Sequence, residues 1–286
     1  MRQRLIDLLN AYFGVEFFHN LIPDMATIMV VGILAMSVLF VVRCKKSALS
    51  WKHATGMIIL ASFTGLVGGH LFFLLQNLRY VFHHPALIAD ITGDSVSFGV
   101  YTGAVAGAYI YSLIFPLPLL RYVDTGVSVL GLGIMFGRLG CYLHGCDFGK
   151  TSDMAWAVRF PNGSYPFVHQ VQKGWIHATD ALSLPVHPVQ LYGCIKGLAL
   201  FVVFSVLWKR NYFKPGVLFL LFWIAFSVCR CMLEFFRDDD RGSVLGVSTG
   251  QYCCLLMFSI SVAFLWIGYG REIRIRTDGV SKVNVS

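Results

Sequence analysis

Charge is what this chain has least of. Asp, Glu, Lys and Arg make up 13% of its 286 residues, against 56% hydrophobic residues and a mean hydropathy of +0.67. A surface so poor in ionised groups excludes a water-soluble globular protein. Acid is the scarcer sign, with 15 Asp and Glu to 23 Lys and Arg. Short segments of alternating apolar and polar residues are lacking too, which excludes a membrane β-barrel. Internal repeats are also absent, and the broken, repeated helices of many transporters are not expected. With no low-complexity linker or composition break, residues 1–286 read as a single transmembrane domain.

What is present is a series of long apolar runs. A bilayer core about 30 Å thick needs roughly 20 apolar residues at 1.5 Å rise per residue. Met25 to Val42, Ala54 to Leu75 and Val247 to Gly270 reach that length without Asp, Glu, Lys or Arg. Four further runs carry polar groups: Val96 to Leu120 is rich in Gly and aromatics, Thr125 to Leu143 contains Arg138, Pro188 to Trp208 contains Lys196, and Pro215 to Phe235 ends with Arg230 and Glu234. The expected fold is all-α and polytopic, with about seven transmembrane helices. Gly99, Gly103 and Gly107, and again Gly133 and Gly137, recur at four-residue spacing and are read as close helix packing.

Lys and Arg collect on every second connection, at Arg43 to Lys46, Arg121, Lys209 to Lys214 and Arg271 to Arg276. The positive-inside rule makes these cytoplasmic, which places the amino terminus outside and the carboxyl terminus inside. The connections Gln76 to Ser95 and His144 to His187 and the acidic turn Asp238 to Arg241 then face outward, with Asp238 to Asp240 read as solvated. The net charge of +8 belongs to flanks touching anionic lipid, and nucleic acid is not expected as a partner. Met1 to Asn20 is broken by Asp7, Glu16 and His19, so it reads as an interfacial amphipathic helix rather than a signal peptide. Thr277 to Ser286 reads as a flexible polar tail.

Ionisable groups inside a membrane are costly and mark function by default. Arg230, Glu234 and Arg237 stand at i, i+4 and i+7 and share one helix face, which makes either a functional site or a salt bridge at the outer leaflet. Arg138 sits in Gly137-Arg138-Leu139-Gly140-Cys141-Tyr142-Leu143-His144-Gly145-Cys146-Asp147-Phe148-Gly149-Lys150, whose glycines suggest that the chain leaves the helix and turns sharply. An Arg there can clamp a phosphate in two-point fashion or merely snorkel to the interface. Cys141 and Cys146, with His144 between them, allow a disulfide, a nucleophilic thiol or plain packing. They fall short of the four-ligand spacing of a zinc site, and no metal is expected. The connection from His144 to His187, with Trp156, Arg159, Phe160, Tyr165 and Phe167, is too long for a simple link and is expected to cap the site.

Three motifs taken together carry a resemblance. Gly137-Arg138-Leu139-Gly140 with Gly149, then His187-Pro188-Val189-Gln190-Leu191-Tyr192, then Arg230-Cys231-Met232-Leu233-Glu234-Phe235-Phe236-Arg237 occur in that order. The chain resembles the bacterial prolipoprotein diacylglyceryl transferase family, from about Gly68-Gly69 to Arg237. The resemblance implies a multi-pass protein of the bacterial cytoplasmic membrane that moves a diacylglyceryl group from phosphatidylglycerol to the thiol of a lipoprotein precursor. Glycerol phosphate leaves, and no cofactor is needed. It implies catalytic roles for Arg138, Arg230 and Glu234, with Tyr101, Cys141 and Cys146 at positions where the family has His, Asn and Glu. It further implies that Gly137, Gly140, Gly149, His144, His187, Gln190, Tyr192 and Arg237 line the substrate. His70 stands where the family has an Arg after the paired glycines, and the familiar Tyr of the first span is not evident near Met25. These departures suggest a divergent, cysteine-containing member with an altered donor or acceptor. The alternative is a lipid-binding or transport protein that keeps the scaffold without the chemistry.

Overall fold

The computed structural model describes residues 25–83, 88, 96–238, 243–244 and 247–283. The expected interfacial helix at Met1 to Asn20 lies outside the described residues, as do residues 239–241 of the acidic turn and residues 84–87 and 89–95 of the second connection. In chain order the elements are α1 (Met25–Lys46), α2 (Trp51–Gln76), the short α3 (Leu78–His83), α4 (Ser97–Ile114), α5 (Leu119–His144), the short α6 (Tyr165–Gln172), α7 (Val189–Arg210) and α8 (Val217–Glu234). A hairpin of β1 (Ser243–Val244) and β2 (Val247–Ser248) leads into α9 (Thr249–Val283). The fold is all-α. Seven helices are long and apolar enough to cross a membrane: α1, α2, α4, α5, α7, α8 and Thr249–Gly268 of α9. Beyond its span α9 takes in Thr277 to Val283 of the segment read above as a flexible tail.

Helices form here because a lipid-facing backbone must satisfy every N–H and C=O within its own segment. Leu34, Val38, Ile59, Phe63 and Trp266 remain more than half exposed, as side chains that meet acyl chains rather than water. Several ends carry the charge that a helix dipole favours: Arg43, Lys45 and Lys46 close α1, and Lys209 and Arg210 close α7. Asn211, in the left-handed conformation at φ 50, caps α7.

The chain divides into two compact units. The first takes the chain up to Met36, Val127–Phe213 and Val217 onward, and the second takes Ser37–Gly126 with Lys214–Gly216. Within the second, α2 and α4 approach through glycine. A Cβ on Gly68 would stand 2.5 Å from the Gly99 carbonyl oxygen, and Cβ atoms on Gly99, Gly103 and Gly107 would collide with Gly68 or Thr64. Packing is therefore the role of that glycine series.

Within the first unit α5 and α7 touch in the same manner. A Cβ on Gly197 would lie 2.7 Å from Met135 N and 2.9 Å from the Gly131 carbonyl oxygen. Rings join α7 to α8, with Phe204 and Phe222 at 5.0 Å between centroids. Gly133 packs on Met36, whereas a Cβ on Gly137 would meet nothing within 4 Å among the described residues, so the close packing expected of that pair is seen there only at Gly133. Residues 145–188 are folded rather than slack. Val158 bridges to Val186, Phe160 is fully buried with its N–H on Ser183 Oγ at 2.9 Å, and Gln170 Oε1 accepts the Leu184 N–H at 2.7 Å.

Candidate active site

The site begins where α5 ends. Gly145 takes φ +88 and donates its N–H to the Cys141 carbonyl at 2.8 Å, closing the helix. Asp147 follows in the left-handed region at φ 58, which Asp tolerates better than most residues. The sharp turn expected from the glycines thus occurs, and it swings Asp147 back beside Arg138, nine residues earlier.

Asp147 joins two helices' worth of cation. Arg138 Nη1 donates to its Oδ2, and Arg237 Nη2 donates to its Oδ1 at 2.7 Å. From Arg237 the network continues to Glu234, whose Oε2 lies 3.9 Å from Arg237 Nε and accepts from Arg230 Nη1. Ser248 Oγ donates to the other Glu234 oxygen at 2.9 Å. The result is an alternating series, Arg138, Asp147, Arg237, Glu234, Arg230, whose side chains are between 4% and 17% exposed. Groups withdrawn this far from water are held by one another, and among the described residues of the series three guanidiniums stand against two carboxylates, an arrangement suited to an anion.

The surrounding backbone makes room for this series. Gly149 bridges to Arg237, Lys150 donates its N–H to the Phe236 carbonyl at 2.9 Å, and His187 donates to the Lys150 carbonyl at 2.9 Å. A Cβ on Gly149 would stand 2.5 Å from the His187 carbonyl oxygen. A Cβ on Gly193 would stand 2.9 Å from Arg138 Cδ, so the bare backbone of α7 is the groove in which the Arg138 side chain lies. Gln190, fully buried, donates Nε2 to the Cys146 carbonyl at 2.8 Å, and its Oε1 has no partner among the described residues. Tyr192 OH accepts from Trp156 Nε1 at 2.7 Å and pairs with His187 Nδ1 at 3.2 Å.

Both thiols of the turn are free. Cys146 Sγ donates to the Cys141 carbonyl at 3.8 Å. A hydrogen bond with the Cys141 side chain, reinforced by burial, pushes the Cys146 thiol up from its ordinary range.

Comparison with known proteins now decides the family. The pattern that defines prolipoprotein diacylglyceryl transferases matches residues 22–267. The chain belongs to the prolipoprotein diacylglyceryl transferase family. The phosphatidylglycerol–prolipoprotein diacylglyceryl transferase of Clostridium tetani is 29% identical over 248 residues, covering 86% of this chain and 93% of the relative. A second such transferase of Clostridium perfringens is 28% identical over 228 residues, covering 79% and 83%. That of Rhodospirillum rubrum is 29% identical over 224 residues, covering 75% of each.

Against the residues the diacylglyceryl transferase resemblance points to, the structure brings Arg138, Arg230, Glu234 and Arg237 into one network, with Gly149, Gln190, His187 and Tyr192 around it. Cys141, in the last turn of α5, and Cys146, on the turn that carries Asp147, lie at its edge. Gly140 faces α1, where a Cβ would lie 3.3 Å from Met25, and Gly137 borders open space. His144 is exposed and meets the Tyr165 ring at 5.3 Å. Tyr101 is half-buried on α4, in the second unit. His70 is buried there too, with Nε2 3.3 Å from the Ile88 carbonyl oxygen. Metal-ligand groups of three or more are absent among the described residues.

Sequence reasoning missed three participants. Asp147 stands in the motif with no role evident from spacing, although an acid just past a glycine turn from an intramembrane Arg is the natural counter-ion. Gly193 carries no chemistry of its own and is visible only once Arg138 is seen lying on it. Ser248 lies fourteen residues beyond Glu234, and nothing in its surroundings signals the contact.

Proposed function

We propose that this enzyme transfers the diacylglyceryl group of phosphatidylglycerol to a cysteine thiol of a lipoprotein precursor. The reaction takes place at the outer side of a bacterial inner membrane, with the amino terminus outside and the carboxyl terminus cytoplasmic. The orientation rests on the alternation of Lys- and Arg-rich connections. The observation that carries the reading is the Arg-rich series at the ends of α5 and α8, positive in excess and withdrawn from water.

The chemistry is displacement at a glycerol carbon. The acceptor sulfur, as thiolate, forms the new C–S bond while the C–O bond to phosphate breaks, and the bonding electron pair stays on the phosphate oxygen. Arg138 and Arg230 stabilise that developing charge, which a preorganised cation does best in a site poor in water. The positive field also favours the thiolate over the thiol. Glu234, engaged by Arg230, Arg237 and Ser248, acts as the group that orients the guanidiniums rather than as a proton acceptor. Asp147 does the same for Arg138. Gln190 Oε1 takes a hydroxyl of the headgroup glycerol, and residues 144–187 close over the pocket, hinged on the Trp156–Tyr192 contact.

Reconstitution of the purified protein with one donor lipid at a time tests this. Phosphatidylglycerol supports formation of a diacylglyceryl thioether on a cysteine-bearing precursor peptide, and phosphatidylethanolamine supports little. Equal use of both donors, or lipid binding without thioether formation, overturns the proposal.

A further inference from the structure

The mechanism above gives no task to a basic side chain buried close to the site. Lys196 is 8% exposed within the span of α7. Its ammonium lies 4.3 Å from the centroid of the Phe226 ring, and no carboxylate among the described residues is within ion-pair distance of it. A lysine that only filled space there would be an expensive choice, since an apolar residue of similar length makes the same contact without a charge to bury.

Two helix registers place this ammonium. On α7 it follows by three residues Gly193, against which the Arg138 side chain lies. On α8 its ring partner Phe226 precedes Arg230 by four residues, on the same face. Both registers set Lys196 about one helical turn, roughly 5 Å, nearer the middle of the spans than Arg138 and Arg230.

We propose that Lys196 is the inner member of a three-cation site, with Arg138 and Arg230, that recognises a phosphate monoester dianion. The proposal rests on the transferase reading above and adds a residue and a charge preference to it. Among the described residues, Arg138, Arg230 and Arg237 are paired with Asp147 and Glu234, and Lys196 adds an amine within about one turn of them, so basic groups outnumber carboxylates. The donor lipid is a phosphodiester with a single negative charge. Cleavage of the C–O bond leaves its electron pair on phosphate, which becomes a monoester carrying about −1.5 to −2 at pH 7. The cluster therefore matches the departing group better than the bound lipid, and binding that grows along the reaction accelerates it.

The test uses the full-length protein in lipid nanodiscs. Lys196→Met lowers kcat at least tenfold while the KM for phosphatidylglycerol stays within about threefold, and it weakens inhibition by inorganic phosphate about tenfold. Lys196→Arg restores most of both. Wild-type kcat and phosphate inhibition in Lys196→Met overturn the proposal, as do equal losses in both variants with phosphate inhibition unchanged. A readout that needs neither turnover nor a variant is acylation of Lys196 by an amine-reactive reagent, followed by mass spectrometry. Inorganic phosphate protects Lys196 if the site exists, and absence of protection overturns it. Because this last measurement does not involve the donor lipid, it separates failure of the phosphate site from failure of the transferase reading.

Discussion

Asp147 and Arg237 lie 90 positions apart in the chain and meet at 2.7 Å. That contact closes the network, because the other oxygen of the same carboxylate holds Arg138. The carboxylate thus sets the spacing between an arginine at the end of α5 and one just beyond α8. The adjoining backbone repeats the connection, with Gly149 bridged to Arg237.

Asp147→Asn keeps the shape and removes the charge. Arg138 and Arg237 are then held less firmly, and a displacement of about 1 Å in a positioning group costs on the order of 100-fold in rate. The expected result is normal insertion with activity down about 100-fold, measured as initial rate beside a detergent-extraction profile. Activity within twofold of wild type would show that the carboxylate sets nothing.

Gly193 supplies space rather than chemistry. Gly193→Ala forces the Arg138 side chain to shift by a few tenths of an ångström, and Gly193→Leu expels it from its groove. Activity should fall in that order, by roughly tenfold for Leu or more, while Gly163→Ala, at a position with open space, serves only as a control for expression and backbone strain. Equal activity in Gly193→Leu and wild type would contradict the groove.

Cys146 is a thiol whose surroundings disfavour ionisation. Only the thiolate reacts with maleimide or carries a lipid, and Cys146 has its pKa raised, so it remains a thiol through neutral and mildly alkaline pH. Its labelling should stay slow throughout the mildly alkaline range in which an ordinary exposed cysteine reacts readily. Mass spectrometry during turnover should find no diacylglyceryl adduct on Cys146, and Cys146→Ala should keep activity within about twofold. Rapid labelling of Cys146 at pH 7 would refute the assignment.

Topology is open to a direct map. Single cysteines placed between His144 and His187 in a cysteine-depleted background should react with a membrane-impermeant reagent in intact cells, and one placed between Lys209 and Lys214 should react only after lysis. The reverse pattern would invert the orientation.

How far the sequence announced the structure differs between its parts. Apolar runs located all seven spans, because length and lack of charge are local properties. The face shared by Arg230, Glu234 and Arg237 was legible for the same reason, since helical periodicity alone aligns them. Asp147 was not, because its role depends on a φ of 58 that reverses the chain, and no pattern of residue types states that angle. Gly193 and Ser248 were hidden in another way: each acts through a neighbour remote in sequence, Arg138 in one case and Glu234 in the other. Gly140, read from the motif as lining the substrate, borders Met25 of α1, a neighbour remote in sequence that the motif does not announce.

The most direct test of the account is single-turnover transfer in proteoliposomes by wild type and Arg138→Ala, with thioether and released glycerol phosphate counted together. The account predicts one glycerol phosphate per thioether in the wild type. Arg138→Ala should insert and extract like the wild type yet transfer at least 100-fold more slowly, the loss expected when a charge-stabilising donor is removed. Undiminished transfer by Arg138→Ala, or thioether formed without glycerol phosphate release, would contradict it.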